Sequence, residues 1–431
     1  MKIAFINQPW NRIALPIQSG SIAIWTYEIA RRLAPSFEVI VYGRRGEGDK
    51  ETERDKGVEY RRIPISQDLF LQRVARRLPV GVLKMPLRFD RAPYFMGYAV
   101  RVAMDLRKRK CDIVHVHNYS QFAPIIRRFN PGTRIVLHMH CEWLTQIDRR
   151  LIAGRLTAVD RVVGCSDYLT NTIRRGFPEF AERCYTVHNG VNVQHFSPAD
   201  KPPAAPGKGE QTILFVGRVS PEKGVHVLLE AFRRVLEDRP NTRLEIVGPL
   251  GAAPADFIVG STDDPRVKEL DPLYRGDYVD SLRKALPDGM ADKVSFVGSI
   301  PYFELLDRYR AADVFVFPSV WNEPFGLPVV EAMACGVPVV ATRSGGIVEI
   351  VKDGETGLLV ERGNAAELAG AIVKLLRDDA RRTAMGRAAR ERVSERFTWE
   401  RVAEVLGGVY GGMSGARKPD SSGIVDTQRS G

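Results

Sequence analysis

Apolar runs and helical stripes alternate along the first half of the chain. Lys2 to Ile6 is a continuous apolar run, and Phe37 to Tyr42 is a second. Between them, residues 24–33 place Trp25, Ile29 and Leu33 on one helical stripe. Further apolar runs fall at Asp112–His117, Arg134–Met139 and Arg161–Cys165. Continuous runs separated by helices predict a parallel sheet covered on both faces. Such sheets bind ligands beyond the C-terminal ends of their strands.

Residues 197–209 are rich in Pro, Ala and Gly and read as a linker. A second alternation follows, with strands predicted at Thr212–Val216, Arg243–Val247, Val294–Phe296, Val314–Phe317, Val337–Ala341 and Gly357–Val360. The expected architecture is α/β: two Rossmann-like domains, each with a parallel sheet, facing a central cleft. The divisions are 1–196, a linker at 197–210, a second domain at 211–395, a last helix at 396–410 and a tail at 411–431 without apolar period, expected to be disordered. Pro249 to Tyr278 is a long Pro/Gly/Asp-rich stretch, expected to be a flexible flap near the cleft.

Charge adds a preference for phosphates. The formal net charge is +11, and bases crowd between Arg73 and Lys110, opposed only by Asp90 and Asp105. No motif points to nucleic acid. Residues 69–110 mix large apolar side chains with bases, which suits peripheral contact with an anionic membrane face. Pro79, Gly81 and Pro86 interrupt that pattern, which favours an ordinary helix and loop with a solvated basic face over membrane contact. The five cysteines are scattered and form no C-x2-C pair, which fits a reducing cytoplasm. No run of about 18 apolar residues is present, and the N-terminal run is too short for a signal peptide.

The densest chemistry lies at Glu323-Pro-Phe-Gly-Leu-Pro-Val-Val-Glu331. On one straight helix the two carboxylates would stand about 80° apart. Pro324, Gly326 and Pro328 forbid that helix. Glu323 therefore falls in a loop, and Pro328 opens a helix carrying Glu331. The N–H groups of Phe325, Gly326 and Leu327 would face an anion at that helix start. A sugar and a ribose joined by a diphosphate fit this layout. Gly217-Arg218-Val-Ser-Pro-Glu-Lys223-Gly224 follows a predicted strand. Gly217 permits close backbone approach, while Arg218 and Lys223 suit phosphate oxygens. A solvated basic turn is the alternative there.

These segments, with Asn189-Gly190-Val191-Asn192, Ala312-Asp313 and Gly345-Gly346-Ile-Val-Glu349, resemble family-4 retaining glycosyltransferases of the GT-B fold, in family order over most of the chain. The resemblance implies that Arg218 and Lys223 hold the donor diphosphate, Glu331 the donor ribose and Glu323 the transferred sugar. It puts the active-site histidine at His140, with His138 two residues earlier as the competitor. It sets Gly20 and Ser21 at the loop facing acceptor or phosphate, where Ser21 replaces the family's second glycine. It carries the last helix back onto the first domain. It implies a nucleotide sugar, UDP by default, a sugar, lipid-linked or small-molecule acceptor, and catalysis without metal or other cofactor. No Asp, Glu or Cys spacing completes a metal site around the histidines. A nucleotide-sugar 2-epimerase and a non-catalytic nucleotide-sugar-binding protein on the same fold are the alternatives.

Overall fold

The computed structural model describes residues 1–10, 12–15, 17, 20–77, 94–199 and 209–413. The centre of the linker, residues 78–93 of the basic segment and the tail from 414 lie outside the described residues.

Two sheets carry the fold. The first contains β1 (Lys2–Ile6), β2 (Glu38–Arg44), β3 (Thr52–Asp55), β4 (Val58–Ile63), β5 (Ile113–His117), β6 (Arg134–Met139), β7 (Arg161–Gly164) and β8 (Cys184–Thr186). Its order is β3-β4-β2-β1-β5-β6-β7-β8. Only β3 runs antiparallel, against β4. The second contains β9 (Gln211–Val216), β10 (Thr242–Val247), β11 (Val294–Gly298), β12 (Val314–Phe317), β13 (Val339–Thr342) and β14 (Gly357–Val360), ordered β11-β10-β9-β12-β13-β14. Its pairings are all parallel.

The strand order reverses beside β1 in the first sheet and beside β9 in the second. The chain leaves these strands at Asn7-Gln8 and at Gly217-Arg218, so each sheet offers a switch-point crevice there. The central strands of both sheets are buried on both faces. Ile3 to Ile6 and Ile213 to Phe215 are almost wholly shielded from solvent, as expected for strands covered by helices on both sides.

Four expectations change. The hairpin of β3 and β4 and the short β8 were not anticipated, because Thr-Glu-Arg-Asp carries no apolar run. The helix after β1 begins at Ser21, with Gly20 as its N-cap at φ 92°. The predicted strand at Val337 starts two residues later, since the Val337 N–H instead bonds Ala332 O at 3.0 Å. The stretch from Pro249 to Tyr278 is not a structureless flap. It holds short helices at Ala255–Ile258 and Pro265–Lys268. Asp264 pairs with Arg362 at 2.7 Å, and the Tyr274 hydroxyl donates to Glu222 at 2.6 Å. Side-chain caps from Asp264 and Asp277 give this polar sequence its turns.

The last helix, Trp399–Gly411, lies against the helix Ser21–Leu33 of the first sheet's layer. Glu400 pairs with Arg32 at 2.6 Å. The Tyr410 hydroxyl sits 2.7 Å from His115 Nδ1. No helix among the described residues is long and apolar enough to cross a membrane.

Candidate functional site

Parallel β9 and β12 aim their C-terminal ends at the cleft. Arg218, just past β9, is exposed and makes no hydrogen bond or ion pair with the described residues. Lys223 ends the 3₁₀ turn Pro221–Lys223. Its ammonium donates to Glu323 Oε2 at 2.6 Å and lies 4.8 Å above the Trp321 ring. Glu323, in the loop after β12, also accepts from Trp321 Nε1 at 2.9 Å and Ser319 Oγ at 3.2 Å on the same oxygen. Its Oε1 accepts from no described donor. A buried carboxylate with one oxygen saturated and one open is fixed in orientation and ready for a hydroxyl.

Two glycines shape this loop. Gly326 stands at φ 104° as the N-cap of the helix Leu327–Ala334. The N–H groups of Phe325, Gly326 and Leu327 donate to no acceptor among the described residues, leaving the helix start open for an anion. Gly345, at φ 47°, lies so close that a Cβ there would stand 2.1 Å from Glu323 O, while Gly346 N donates to that oxygen at 2.8 Å. The Gly345-Gly346 pair thus holds the Glu323 backbone in place.

Glu331 is buried one turn into the helix and accepts from the Tyr309 hydroxyl at 2.7 Å. Burial raises its pKa to about 7, against the lowering effect of hydrogen bonds from Tyr309 and Tyr302. Glu331 lines a cavity of about 290 Å³ together with Gly20, Ser21, Gly217, Arg218, Leu327 and Tyr302. A second cavity, about 760 Å³, opens between the sheets and is walled by Trp10, Tyr94, Trp143, Phe257 and Trp321. Gly20, Ser21 and Arg218 belong to both, so the two spaces meet there.

In the first sheet, His140 follows β6 at the cleft edge. Its N–H donates to Asn118 Oδ1 at 2.7 Å, and Asn118 lines the larger cavity. Its Nε2 lies 3.0 Å from His117 Nδ1, and desolvation lowers its pKa to about 3, so the ring is neutral. His138 is wholly buried, 3.1 Å from His115 Nε2. Of the two, His140 is the less buried, and neither is among the lining residues of the two cavities. His115, His117 and His138 bring ligand-type atoms within 4.8 Å of one another, so three histidines gather without any acid or cysteine. Burial keeps all three well below the usual histidine pKa. A second such group, Asp167, His188 and Glu349, lies elsewhere. Neither group lines the cavities that Arg218 joins.

Gly20, Ser21, Gly217, Arg218, Leu327 and Glu331 are thus drawn to one cavity. Lys223, Glu323, Phe325, Gly326 and His140 are not among the lining residues of that cavity or of the larger one. Sequence patterns did not single out Tyr302, Tyr309 or the aromatic wall of the larger cavity. Those rings come from separate elements with no shared spacing, and the sole local cue was the abundance of turns around Phe257.

Residues 197–392 match the family described as Glycosyl transferases group 1, and residues 22–195 match Glycosyltransferase Family 4. The chain is 30% identical to the putative glycosyltransferase YtcC of Bacillus subtilis, over 73% of this chain and 75% of that one. Its fold superposes on sucrose-phosphate synthase from Thermosynechococcus elongatus with a TM-score of 0.71 at 24% identity, covering 96% and 98% of the two chains. It also superposes on Anabaena Alr3699/HepE, solved in complex with UDP and glucose, with a TM-score of 0.67 at 19% identity over 95% and 99%.

Proposed function

Because the chain belongs to the family-4 glycosyltransferases, the glycosyl transferases group 1, we propose that it moves a sugar from UDP to an acceptor hydroxyl with retention at the anomeric carbon. The observation that carries this reading is the position of Arg218. Its guanidinium, without a partner among the described residues, stands where the Glu331 cavity meets the larger one. A diphosphate across that junction would put ribose at Glu331 and the sugar in the larger space.

The chemistry follows from charge. The acceptor oxygen attacks the anomeric carbon on the face the diphosphate leaves. The bond from that carbon to the phosphate oxygen breaks as the glycosidic bond forms. The acceptor proton passes to the departing phosphate oxygen, giving UDP and the glycosylated acceptor. Arg218, Lys223 and the open N–H groups at Gly326 and Leu327 match the charge of the leaving group in place. Glu323 Oε1 orients the sugar, and His140, neutral at working pH, faces it from the other domain. Closing the cleft keeps out water that would hydrolyse the donor.

Titration of the protein with UDP, GDP and ADP, then with their sugars alone and with acceptors, tests this. UDP binding and acceptor-dependent UDP release are expected. Conversion of the donor to its epimer without acceptor would assign a 2-epimerase instead, and binding without turnover a non-catalytic protein.

The same reading extends to a cytoplasmic enzyme resting on a membrane face. Its support is the helix Ser66–Arg77, where Phe70 and Leu71 are 61% and 59% exposed beside Arg73. Sedimentation with anionic but not neutral vesicles, lost in Phe70→Ser/Leu71→Ser, tests it.

A further inference from the structure

Strand geometry lays out the histidines of the first sheet. Side chains two residues apart on a strand share a face, so His115 and His117 stand side by side on β5. The register sets His117 directly opposite His138 on the parallel neighbour β6. His115, His117 and His138 are at most 1% exposed, and one ring nitrogen of each lies within 4.8 Å of the other two. No carboxylate or thiolate among the described residues joins the group.

Each β5 histidine has one nitrogen tied down and one turned toward its neighbours. His115 Nδ1 lies 2.7 Å from the Tyr410 hydroxyl, and His117 Nε2 lies 3.2 Å from Thr26 Oγ1. Tyr410 belongs to the last helix and Thr26 to the helix Ser21–Leu33. The other nitrogens meet the next strand. His115 Nε2 is 3.1 Å from His138 Nδ1, and His117 Nδ1 is 3.0 Å from His140 Nε2. A histidine that ligates a metal is held in this manner, its far N–H donating to an oxygen beyond the ion and its near nitrogen keeping a lone pair.

Spacing agrees with that comparison. With metal–nitrogen bonds of about 2.0–2.1 Å, two ligands of a tetrahedral ion stand about 3.3 Å apart and their ring centroids about 5 Å apart. The facing nitrogens of His115 and His138 are 3.1 Å apart, and the centroids of the three rings stand at 5.0, 5.2 and 5.6 Å. The protein groups alone leave the cluster incomplete. His138 Nε2 is buried with no partner among the described residues, and so is Nε1 of Trp25, whose ring lies 4.8 Å from the His138 ring. Buried polar groups in this state are rare in folded chains and point to a missing partner.

We propose that His115, His117 and His138 form a structural metal site for one divalent first-row transition ion, Zn²⁺ being the ion expected. Imidazole nitrogens suit Zn²⁺, Co²⁺, Ni²⁺ and Cu²⁺, whereas Mg²⁺ and Ca²⁺ need oxygen ligands. The ligands are shielded from solvent, so the ion enters as the chain folds. It takes no part in sugar transfer, because none of the three lines either cavity that Arg218 joins. It fastens β5 to β6 and, through Tyr410, both strands to the last helix.

The test uses the full chain without any affinity tag. The chain is unfolded in denaturant with chelator, then refolded with Zn²⁺, Co²⁺ or Mg²⁺ alone or with no metal, and passed through gel filtration. About one Zn²⁺ or Co²⁺ per chain is expected to stay bound, with the intense visible absorption of four-coordinate Co²⁺ and no retained Mg²⁺. The Zn²⁺ form should melt higher than the metal-free form. His138→Phe keeps a ring in place and removes a buried nitrogen without a partner, and should bind Zn²⁺ at least about a hundredfold more weakly. Tyr410→Phe touches no ion but frees the far side of His115, and should weaken binding about tenfold to a hundredfold. Tyr410→Phe decides the matter alone if His138→Phe does not fold by circular dichroism. His188→Gln breaks the other histidine and carboxylate group, Asp167, His188 and Glu349, and should leave the affinity unchanged. A wild-type chain that keeps neither Zn²⁺ nor Co²⁺ overturns the proposal. So does the pale spectrum of six-coordinate Co²⁺, wild-type affinity in folded His138→Phe or in Tyr410→Phe, or a loss of metal confined to His188→Gln.

Discussion

Glu323 and Glu331 come from one short motif yet meet opposite environments. Glu323 is matched by the Lys223 ammonium, whereas Glu331 is buried against tyrosine hydroxyls and pairs with no cation among the described residues. The raised pKa of Glu331, about 7, has a signed consequence. The folded chain holds this proton more tightly than the unfolded chain, whose carboxyl titrates near 4.5. Stability is therefore lost as pH rises from about 4.5 to about 7 and is level above. Without donor, Glu331→Gln should melt higher than wild type at pH 8, by thermal unfolding. UDP affinity should move the other way. A ribose diol donates to a carboxylate, so calorimetry should find tighter UDP binding at pH 8 than at pH 6 in wild type, and weak, flat binding in Glu331→Gln. The two cations should also separate. Arg218→Ala and Lys223→Ala should each cut turnover on the order of 10²–10³, and wild-type turnover should persist in excess EDTA. Only Lys223→Ala should also lower the melting temperature, because it strands the buried Glu323 carboxylate, at about 3 kcal/mol. Arg218 has no partner to strand among the described residues. These residues were legible because motif chemistry lies in consecutive positions. Tyr309 was not, since its tie to Glu331 exists only once the helix Leu305–Ala311 packs on the helix Leu327–Ala334.

At the scale of elements, legibility followed burial. Strands buried on both faces, such as Arg134–Met139 and Val314–Phe317, announce themselves as apolar runs, and their bounds were read from sequence. Edge elements do not. β3 is polar because it pairs on one side only, and the 249–278 segment is ordered by caps and ion pairs rather than by apolar period. The turns between elements carry a different constraint. Gly345 and Gly354 both have positive φ, 47° and 78°, but a Cβ at 345 would press on Glu323 O, while one at 354 would meet nothing within 4 Å. Gly345→Ala should therefore cost more stability than Gly354→Ala, which bears backbone strain alone of about 1 kcal/mol. Denaturant midpoints compare them directly. Equal costs would show that the Glu323 loop yields freely, and its fixed orientation would then need another cause.

At the scale of the molecule, one polar tie between the two sheets' layers is placed to govern closure. Glu349, on the short helix Ile347–Ile350 beside β13, reaches the first domain and caps the helix Asp167–Gly176. Its carboxylate accepts from Asp167 N at 2.8 Å and Tyr168 N at 2.5 Å, and lies 3.0 Å from His188 Nε2. A carboxylate at a helix start contributes roughly 0.3–1 kcal/mol, and up to about 2 kcal/mol when partly buried. That is a factor of a few to about thirty in the balance of closed over open forms. The same short helix follows Gly345-Gly346, which grips the Glu323 loop. Under the proposed reading, closure and donor placement are mechanically joined. Glu349→Ala should widen the molecule in small-angle scattering with UDP bound. It should also cut transfer several-fold, and leave UDP affinity near wild type, because Glu349 lines neither cavity joined by Arg218. Glu349→Gln keeps one acceptor oxygen and should fall between. A compact, fully active Glu349→Ala would mean that the remaining ties hold the domains together: the last helix, through Glu400–Arg32 and Tyr410–His115, and Arg390, through Val193 O and Phe196 O.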